Sequence, residues 1–330
     1  MKESEIRNAS LHDEYLDMVK ADALSYFDDP NRCEDLNCPA CSSDQSVFEF
    51  EKFGFKYDLC NHCGTLFVNP RPKLEYLEDF YINSPSSRFW IEEFFKPVAE
   101  ARREKIFRPR AEHVARLIDL SEEVVVGDIG AGFGLFLEEL SKINPSVKSV
   151  AIEPSPEMAE ICRAKDFEVL EFIIEKIEGH DGRFDMLCSF ELFEHLHTPR
   201  SMIASAFKLL KPGGSFLLTT LNCRGFDIQL MWEKSKSVFP PHHLNFCNLE
   251  SLSSLLQDVG FEVIQAETPG VLDWDIIEGN LKREQFSTDR FWTLVAEHST
   301  DECKQELQSW ITKNKLSSHM RILARKPINE

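Results

Sequence analysis

The chain has 330 residues, 42% of them hydrophobic, and a formal net charge of -19. That length accommodates one full α/β core and a smaller appendage. No apolar run reaches bilayer length, residues 1–20 lack an apolar signal core, and such acidity repels a phosphate backbone. The expectation is a cytoplasmic protein that has no membrane span and does not act on nucleic acid.

A polar segment, residues 1–35, precedes two cysteine pairs, Cys38-Pro39-Ala40-Cys41 and Cys60-Asn61-His62-Cys63-Gly64. Ten cysteines without an export signal point to thiols or metal ligands rather than disulfides. The paired spacing predicts a zinc ribbon over residues 36–72, with Cys38, Cys41, Cys60 and Cys63 as ligands and Cys33 as a spare thiol. Four thiolates leave no position for water, so the zinc is expected to be structural; a redox dithiol is the competing reading. Phe48, Phe50, Phe53, Phe55 and Tyr57 are placed for short strands, and Pro70-Arg71-Pro72 breaks any regular element.

Residues 73–120 read as a helical cap, with Leu77, Phe80 and Tyr81 on one face. Within it Arg102, Arg103, Lys105, Arg108 and Arg110 surround a single acid, Glu104. This segment is either a guide for an anionic small molecule or a solvated helix face.

Residues 121–330 carry the main core. Val124 to Ile129 suit a buried strand that ends in Asp128 and leads to Gly130, Ala131, Gly132 and Gly134, where the backbone turns and approaches a ligand without a Cβ in the way. The dinucleotide fingerprint would need a glycine where Leu135 stands, so a pyrophosphate is disfavoured. Ser149 to Ile152 form the next strand, ending in Glu153 and Pro154. Glu153 follows the glycines by about 20 residues, the distance of a carboxylate that grips a ribose diol.

Strand and helix signals then alternate, which argues for a doubly wound, mostly parallel sheet. Phe184 to Phe190 is a strand; Thr198-Pro199 opens a helix; Lys211-Pro212-Gly213-Gly214 stops it before a strand from Ser215 to Thr220. Residues 221–246 read as a long loop rich in aromatics (Phe226, Trp232, Phe239, Phe246), suited to a lid over a second substrate. Asn248 opens another helix that Gly260 ends, Phe261 to Gln265 is a strand, and His319 to Lys326 supplies the last one.

Asp128, the three glycines, Glu153 and the Lys-Pro-Gly-Gly stop resemble the class I S-adenosylmethionine-dependent methyltransferases. The resemblance implies a seven-stranded Rossmann-like sheet with its last strand antiparallel, and S-adenosylmethionine as cofactor. Its ligands would be Asp128, Gly130, Ala131, Gly132, Gly134, Glu153, Pro154, Phe190 and Glu191. A zinc-binding segment ahead of such a core resembles the sugar C-methyltransferases, which implies a nucleotide-linked or glycan sugar as acceptor, anionic in the first case.

If the turn after Phe190 is helical, Glu191, Glu194 and His195 share one face, with His195 as general base. The same array resembles the ubiquinone-pathway O-methyltransferases, which implies a divalent ion at Glu191, Glu194 and His195 and a quinone or lipid precursor as the alternative acceptor. A third possibility has Glu191 touching cofactor and His195 merely capping the turn. His242 and His243 are further candidate bases, and His197 is expected to be exposed. A non-catalytic scaffold is the reading from another class, opposed by the intact glycines and Glu153.

Overall fold

A computed structural model describes residues 2–118, 123–283 and 285–328. The boundary expected at residues 120 and 121 lies outside them. Five strands come early: β1 (Cys33–Glu34), β2 (Ser46–Lys52), β3 (Phe55–Cys60), β4 (Leu66–Val68) and β5 (Arg71–Pro72). Then follow β6 (Val125–Ile129), β7 (Lys148–Ile152), β8 (Glu168–Leu170), β9 (Phe184–Phe190) and β10 (Leu210–Leu221), and finally β11 (Asn245–Phe246), β12 (Glu262–Glu267) and β13 (His319–Arg325).

The main sheet has seven strands in the order β12-β13-β10-β9-β6-β7-β8. Its members from β10 to β8 are parallel, and β13 runs antiparallel to both β10 and β12. Helices cover both faces, so the central strands are apolar on both sides. Helices Arg108–Ala115 and Leu135–Ile143 bury Val114, Phe136 and Leu140 against Val126, Met186 and Leu217. Helices Pro199–Leu209 and Leu249–Val259 bury Ile203 and Leu255 against Ile129, Leu187 and Phe216 on the other face. Gly127 sits inside β6 because a Cβ there would lie 2.6 Å from Leu187 and 2.8 Å from Phe184. The expected α/β, doubly wound class is the observed one.

Local signals set most ends. Asn248 and Ser251 form a reciprocal capping box, and Gly260 closes that helix at φ +116. Thr198 occupies its N-cap position without a side-chain cap bond, Pro199 alone supplying the helical φ. Pro70-Arg71-Pro72 does not simply break structure: Arg71 and Pro72 form β5, paired with Glu34 and Cys33.

The long loop also differs from expectation. It contains helix Phe226–Met231, and its aromatics are packed into the protein rather than poised over a cleft: Phe226 meets Trp292 at 5.0 Å between ring centroids, and others meet the N-terminal region. Trp232 meets Phe50 at 5.4 Å between ring centroids and Phe246 meets Tyr57 at 6.1 Å. Val238, Leu244 and Phe246 are fully buried, so the segment is a wall, not a lid. At its end β11 pairs antiparallel with β4, giving a second sheet in the order β11-β4-β3-β2 that crosses from the cysteine-rich region into the main core.

The start of that wall is held against β13. Asn222 N donates to Ser318 O at 2.7 Å, and Phe226 N to Leu316 O at 2.7 Å. A Cβ at Gly225 would lie 2.2 Å from the Ser318 Cα, a backbone atom that cannot rotate away. Gly225→Ala is therefore expected to destabilise the protein by about 3 kcal/mol, measured by urea unfolding. Unchanged stability would mean that the wall and β13 separate freely.

Candidate functional site

The carboxyl ends of β6, β7, β9 and β10 gather the conspicuous side chains, at the edge where open α/β sheets take ligands. Gly130, Gly132 and Gly134 all have positive φ, +73, +53 and +66. At Gly132 a Cβ would meet nothing within 4 Å, so the turn faces open space. Glu153 is buried at the end of β7, where its Oε2 accepts from Gly132 N at 2.7 Å and its Oε1 from Ser155 N at 2.9 Å. Burial raises its pKa, and the two N–H groups oppose that rise. Each oxygen keeps a lone pair for another donor. Pro154 is exposed and leads into Ser155, the N-cap of the following helix. Asp128 and Ala131 are buried beside the turn, and burial pushes Asp128 up to about 8 against the pull of Arg110.

Glu191 follows Phe190 with φ +53, a conformation costly for a non-glycine residue. Its carboxylate collects Arg110 Nη2 at 2.9 Å, Thr219 Oγ1 at 2.7 Å and His319 Nδ1 at 3.0 Å. The Arg110 guanidinium also stands 4.8 Å from the Phe190 ring centroid. Burial works against a charged Glu191, yet His319, Arg110 and Thr219 hold it well below the usual carboxylate range.

The helical face expected for Glu191, Glu194 and His195 does not form. Phe193–His195 is a 3-10 turn, and Glu194 accepts from Thr220 Oγ1 at 2.7 Å. Thr219 and Thr220 are successive strand residues, so their side chains point to opposite faces and draw the two carboxylates apart. The group that does assemble is Glu194, His195 and His243, whose ligand atoms lie within 4.8 Å of one another. Burial, with Glu191 adding to it, pushes Glu194 up to about 8. Burial likewise lowers His195 to about 4 and His242 to about 3, and puts His243 well below its ordinary value. All three imidazoles are therefore neutral at pH 7.

Their settings differ. His242 is 5% exposed and enclosed by Phe80, Tyr81 and Phe239, with its Nε2 3.2 Å from the Tyr15 hydroxyl. His195 and His243 are half-buried, with ring centroids 4.7 Å apart. His243 Nδ1 lies 2.6 Å from Ser237 O. A carbonyl only accepts, so Nδ1 carries the proton and Nε2 is the bare acceptor. His197 is not exposed: its side chain keeps 8% exposure, with Nε2 3.4 Å from Glu34.

The basic segment is mostly neutralised. Arg103 bonds Glu100, Glu138 and Glu139, Arg108 bonds Glu139, and Lys105 pairs with Glu5. Burial opposes it, but the bonds from Lys142, Arg108 and Arg103 hold Glu139 down at about 2. Glu5, Glu138 and Glu139 come from other elements, out of sight of a local charge count.

The four cysteines converge. Cys38 Sγ lies 3.5 Å from Cys63 Sγ, Cys41 Sγ lies 3.6 Å from Cys60 Sγ, and all four are within 4.8 Å. Tetrahedral bonds of about 2.3 Å imply edges of roughly 3.8 Å, so the donor set has the size of a zinc tetrathiolate. Each knuckle closes alike, through Ser42 N to Cys38 O at 2.8 Å and Gly64 N to Cys60 O at 2.9 Å, with Ser42 and Gly64 left-handed. Cys33 stays apart in β1.

A family model described as a methyltransferase domain matches residues 98–266, half of the chain. The chain belongs to the methyltransferase-domain family. Ubiquinone biosynthesis O-methyltransferase of Xanthomonas oryzae pv. oryzae is 31% identical over 120 residues, covering 34% of this chain and 49% of that protein. The protein of the same name from Nitrosococcus oceani is 28% identical over 141 residues, 41% and 57% of the two chains. The chain thus spans about half the length of the curated relatives it matches. Among solved structures, a SAM-dependent methyltransferase from Archaeoglobus fulgidus superposes with a TM-score of 0.47 at 19% identity, over 68% of this chain and 94% of that one. No helix among the described residues is long and apolar enough to cross a membrane.

Tyr15, Tyr81, Thr219, Thr220 and His319 were not recognisable from sequence, since each resembles an ordinary core or strand residue until the chain is folded. His319 gives a test. Burial disfavours its charge, but Glu191 holds its pKa up at about 9. A raised pKa contributes stability that is complete below the unfolded value of about 6.5 and is lost as pH rises through about 9. The side chain is 43% exposed, so water screens the pair and the effect is modest. Wild type should lose stability between pH 6.5 and 9 in urea titrations, and His319→Gln should lose less in that window. Parallel curves would dismiss the ion pair.

Proposed function

We propose that the chain transfers a methyl group from S-adenosylmethionine to a hydroxyl of a small, uncharged acceptor, with His243 as the general base. The open space above Gly132 and the spare lone pairs of Glu153 suit a nucleoside whose ribose hydroxyls donate to that carboxylate. Arg110 offers a positive charge for the carboxylate of a methionine end, Asp128 offers a buried carboxyl that an arriving ammonium would ionise, and Phe190 and Glu191 border the same edge. When bound, the cofactor supplies an electrophilic methyl on a sulfonium.

The observation that carries the base assignment is the Nδ1–H of His243 on Ser237 O. It fixes the tautomer and leaves Nε2 free to take the acceptor's proton as the methyl arrives. His195 borders that position, and Tyr81 Oη, 3.5 Å from His195 Nδ1, steadies its ring. His242 is packed behind and orients the loop. An uncharged acceptor suits a recess of neutral imidazoles and aromatic rings, and a phenolic hydroxyl accords with the relatives named for ubiquinone biosynthesis. The nucleotide-sugar acceptor draws no support from the basic segment, whose cations are mostly paired. A neutral glycan remains compatible with the same base.

The gathering of Glu194, His195 and His243 favours one second reading, a divalent ion that polarises the hydroxyl. The four-cysteine centre is read as a structural zinc site on its chemistry and size.

Labelled S-adenosylmethionine, offered with catechols, neutral glycans and nucleotide sugars, tests the reaction. Catechol methylation is the expected result, and labelling of nucleotide sugars alone would refute the uncharged acceptor. S-adenosylhomocysteine should bind, and Glu153→Gln should weaken it about tenfold or more, the loss of a charged hydrogen-bond partner. His243→Gln should lower kcat by about a hundredfold or more with that affinity unchanged. Full turnover in His243→Gln would reject the base. Activity lost to EDTA and restored by magnesium or manganese, but not by zinc, would establish the divalent reading instead.

A further inference from the structure

The two cysteine knuckles close alike but sit differently. In the first, Ser42 holds the left-handed position at φ +61 and is exposed, and the half-buried Arg200 donates to Ala40 O at 3.1 Å. In the second, Gly64 holds that position at φ +71 and lies against the core, where a Cβ would stand 3.2 Å from Asn248 Nδ2. Thr65, Cys223, Cys247 and Asn248, which surround this second knuckle, are all buried.

Bonds from the core reach two of its carbonyls. Asn248 Nδ2 donates to Cys63 O at 2.9 Å, and Cys223 Sγ donates to Gly64 O at 3.3 Å. Asn248 uses its other end on helix Leu249–Val259, where Oδ1 accepts from Ser251 N at 2.8 Å. One side chain thus caps a core helix and clamps the turn that aims the Cys63 sulfur.

The Thr65 hydroxyl stands between two sulfurs. Its Oγ1 lies 3.2 Å from Cys63 Sγ and 3.8 Å from Cys247 Sγ. The backbone holds it there, since Cys60 N donates to Thr65 O at 2.9 Å and the next residue, Leu66, pairs with Phe246. A hydroxyl has one proton to give. A sulfur bound to a metal carries no proton, bears negative charge and only accepts. Cys63 Sγ is also the nearer of the two. With a metal in place the Thr65 proton therefore turns to Cys63, in a charge-assisted bond that the buried setting strengthens.

We propose that Thr65 and Asn248 form an outer shell of the metal-loaded four-cysteine centre: the Thr65 hydroxyl donates to the Cys63 thiolate, and Asn248 locks the turn that presents it. The proposal rests on the reading of the cysteines as a zinc site. In it metal retention is coupled to docking of the second knuckle on the core, because Asn248 belongs to the core and Thr65 leads directly into the strand that pairs with β11.

The test uses full-length wild type, Thr65→Val, Thr65→Ser and Asn248→Asp. Zinc affinity is measured against a chromophoric chelator, and the cobalt-substituted proteins are followed by absorption. Thr65→Val keeps the shape and removes the proton, so zinc should bind about tenfold or more weakly, the usual cost of losing an outer-shell partner. Its sulfur-to-cobalt charge-transfer band should move to longer wavelength, because a thiolate relieved of its hydrogen bond gives up an electron more readily. Thr65→Ser restores the donor: affinity should return to within about threefold, and the band to its wild-type place. Asn248→Asp keeps the helix cap but cannot donate to Cys63 O, and it should bind zinc about tenfold or more weakly. Wild-type zinc affinity in Thr65→Val or in Asn248→Asp would overturn the proposal. Weaker binding by Thr65→Val with the band unmoved would mean that Thr65 only fills space, and overturns it likewise. If Thr65→Val does not fold, wild type loaded with a magnetically active cadmium isotope decides: a spin coupling between the metal and the Thr65 hydroxyl proton supports the donor, and a hydroxyl proton without that coupling overturns it. A wild type that binds neither zinc nor cobalt removes the zinc reading itself, and the proposal with it.

Discussion

Two residue pairs, Asn245 with Phe67 and Phe246 with Leu66, join the cysteine-rich sheet to the methyltransferase core. A two-residue strand has no stability of its own, so its register depends on what surrounds it. Here Val68 N adds a bond to Leu244 O at 3.0 Å, Asn248 Nδ2 reaches Cys63 O at 2.9 Å, and Cys223 Sγ reaches Gly64 O at 3.3 Å. The histidines sit directly before this junction. Tyr57, Leu66 and Val68 of the cysteine-rich sheet share one buried core with Val238, Leu244 and Phe246 of the wall.

Charge is organised by the same economy of burial. The chain carries a net -19, yet Glu139 and Glu191 hold cations rather than repel ligands. Glu139 gathers Arg103, Arg108 and Lys142, and Glu191 gathers Arg110 and His319. Across the sheet, burial leaves three imidazoles neutral and raises Glu194. On the proposed reading, one side takes a zwitterionic cofactor end, and the other a neutral acceptor that must lose a proton. Thr219 and Thr220, adjacent in β10, hold one carboxylate for each side.

Much of the proposed cofactor side was legible in the sequence because its determinants are local. A strand, a glycine turn and a helix follow one another from Val125 to Ile143, and Gly130, Gly132 and Gly134 have positive φ in the turn they make. The acceptor side was legible only as a set of candidates. His242 and His243 are neighbours in sequence and opposite in setting, one packed against Tyr15 and Phe80, the other facing His195. A helical reading grouped Glu191 with Glu194 and His195, and the partners that separate them lie on a strand some 28 residues away. The basic stretch looked like a ligand guide for the same reason: Glu138 and Glu139 are remote in the chain and adjacent in space.

The sequence by itself determined the α/β class, the strand that delivers Asp128, the glycine turn, Glu153 and the two matched cysteine knuckles. Each of these is encoded by periodicity or by spacing within one or two elements, where backbone geometry leaves few alternatives. Only the tertiary structure decided which histidine has a free nitrogen, which carboxylate stands beside it, and that Arg71, to all appearance a residue between two turn prolines, is a buried cation at the hinge of two sheets. The last of these depends on hydrogen bonds and burial between segments more than a hundred residues apart, and the first two on how the loop folds back on the 193–195 turn. Desolvation and donor direction are properties of the packed interior, and no local pattern records them.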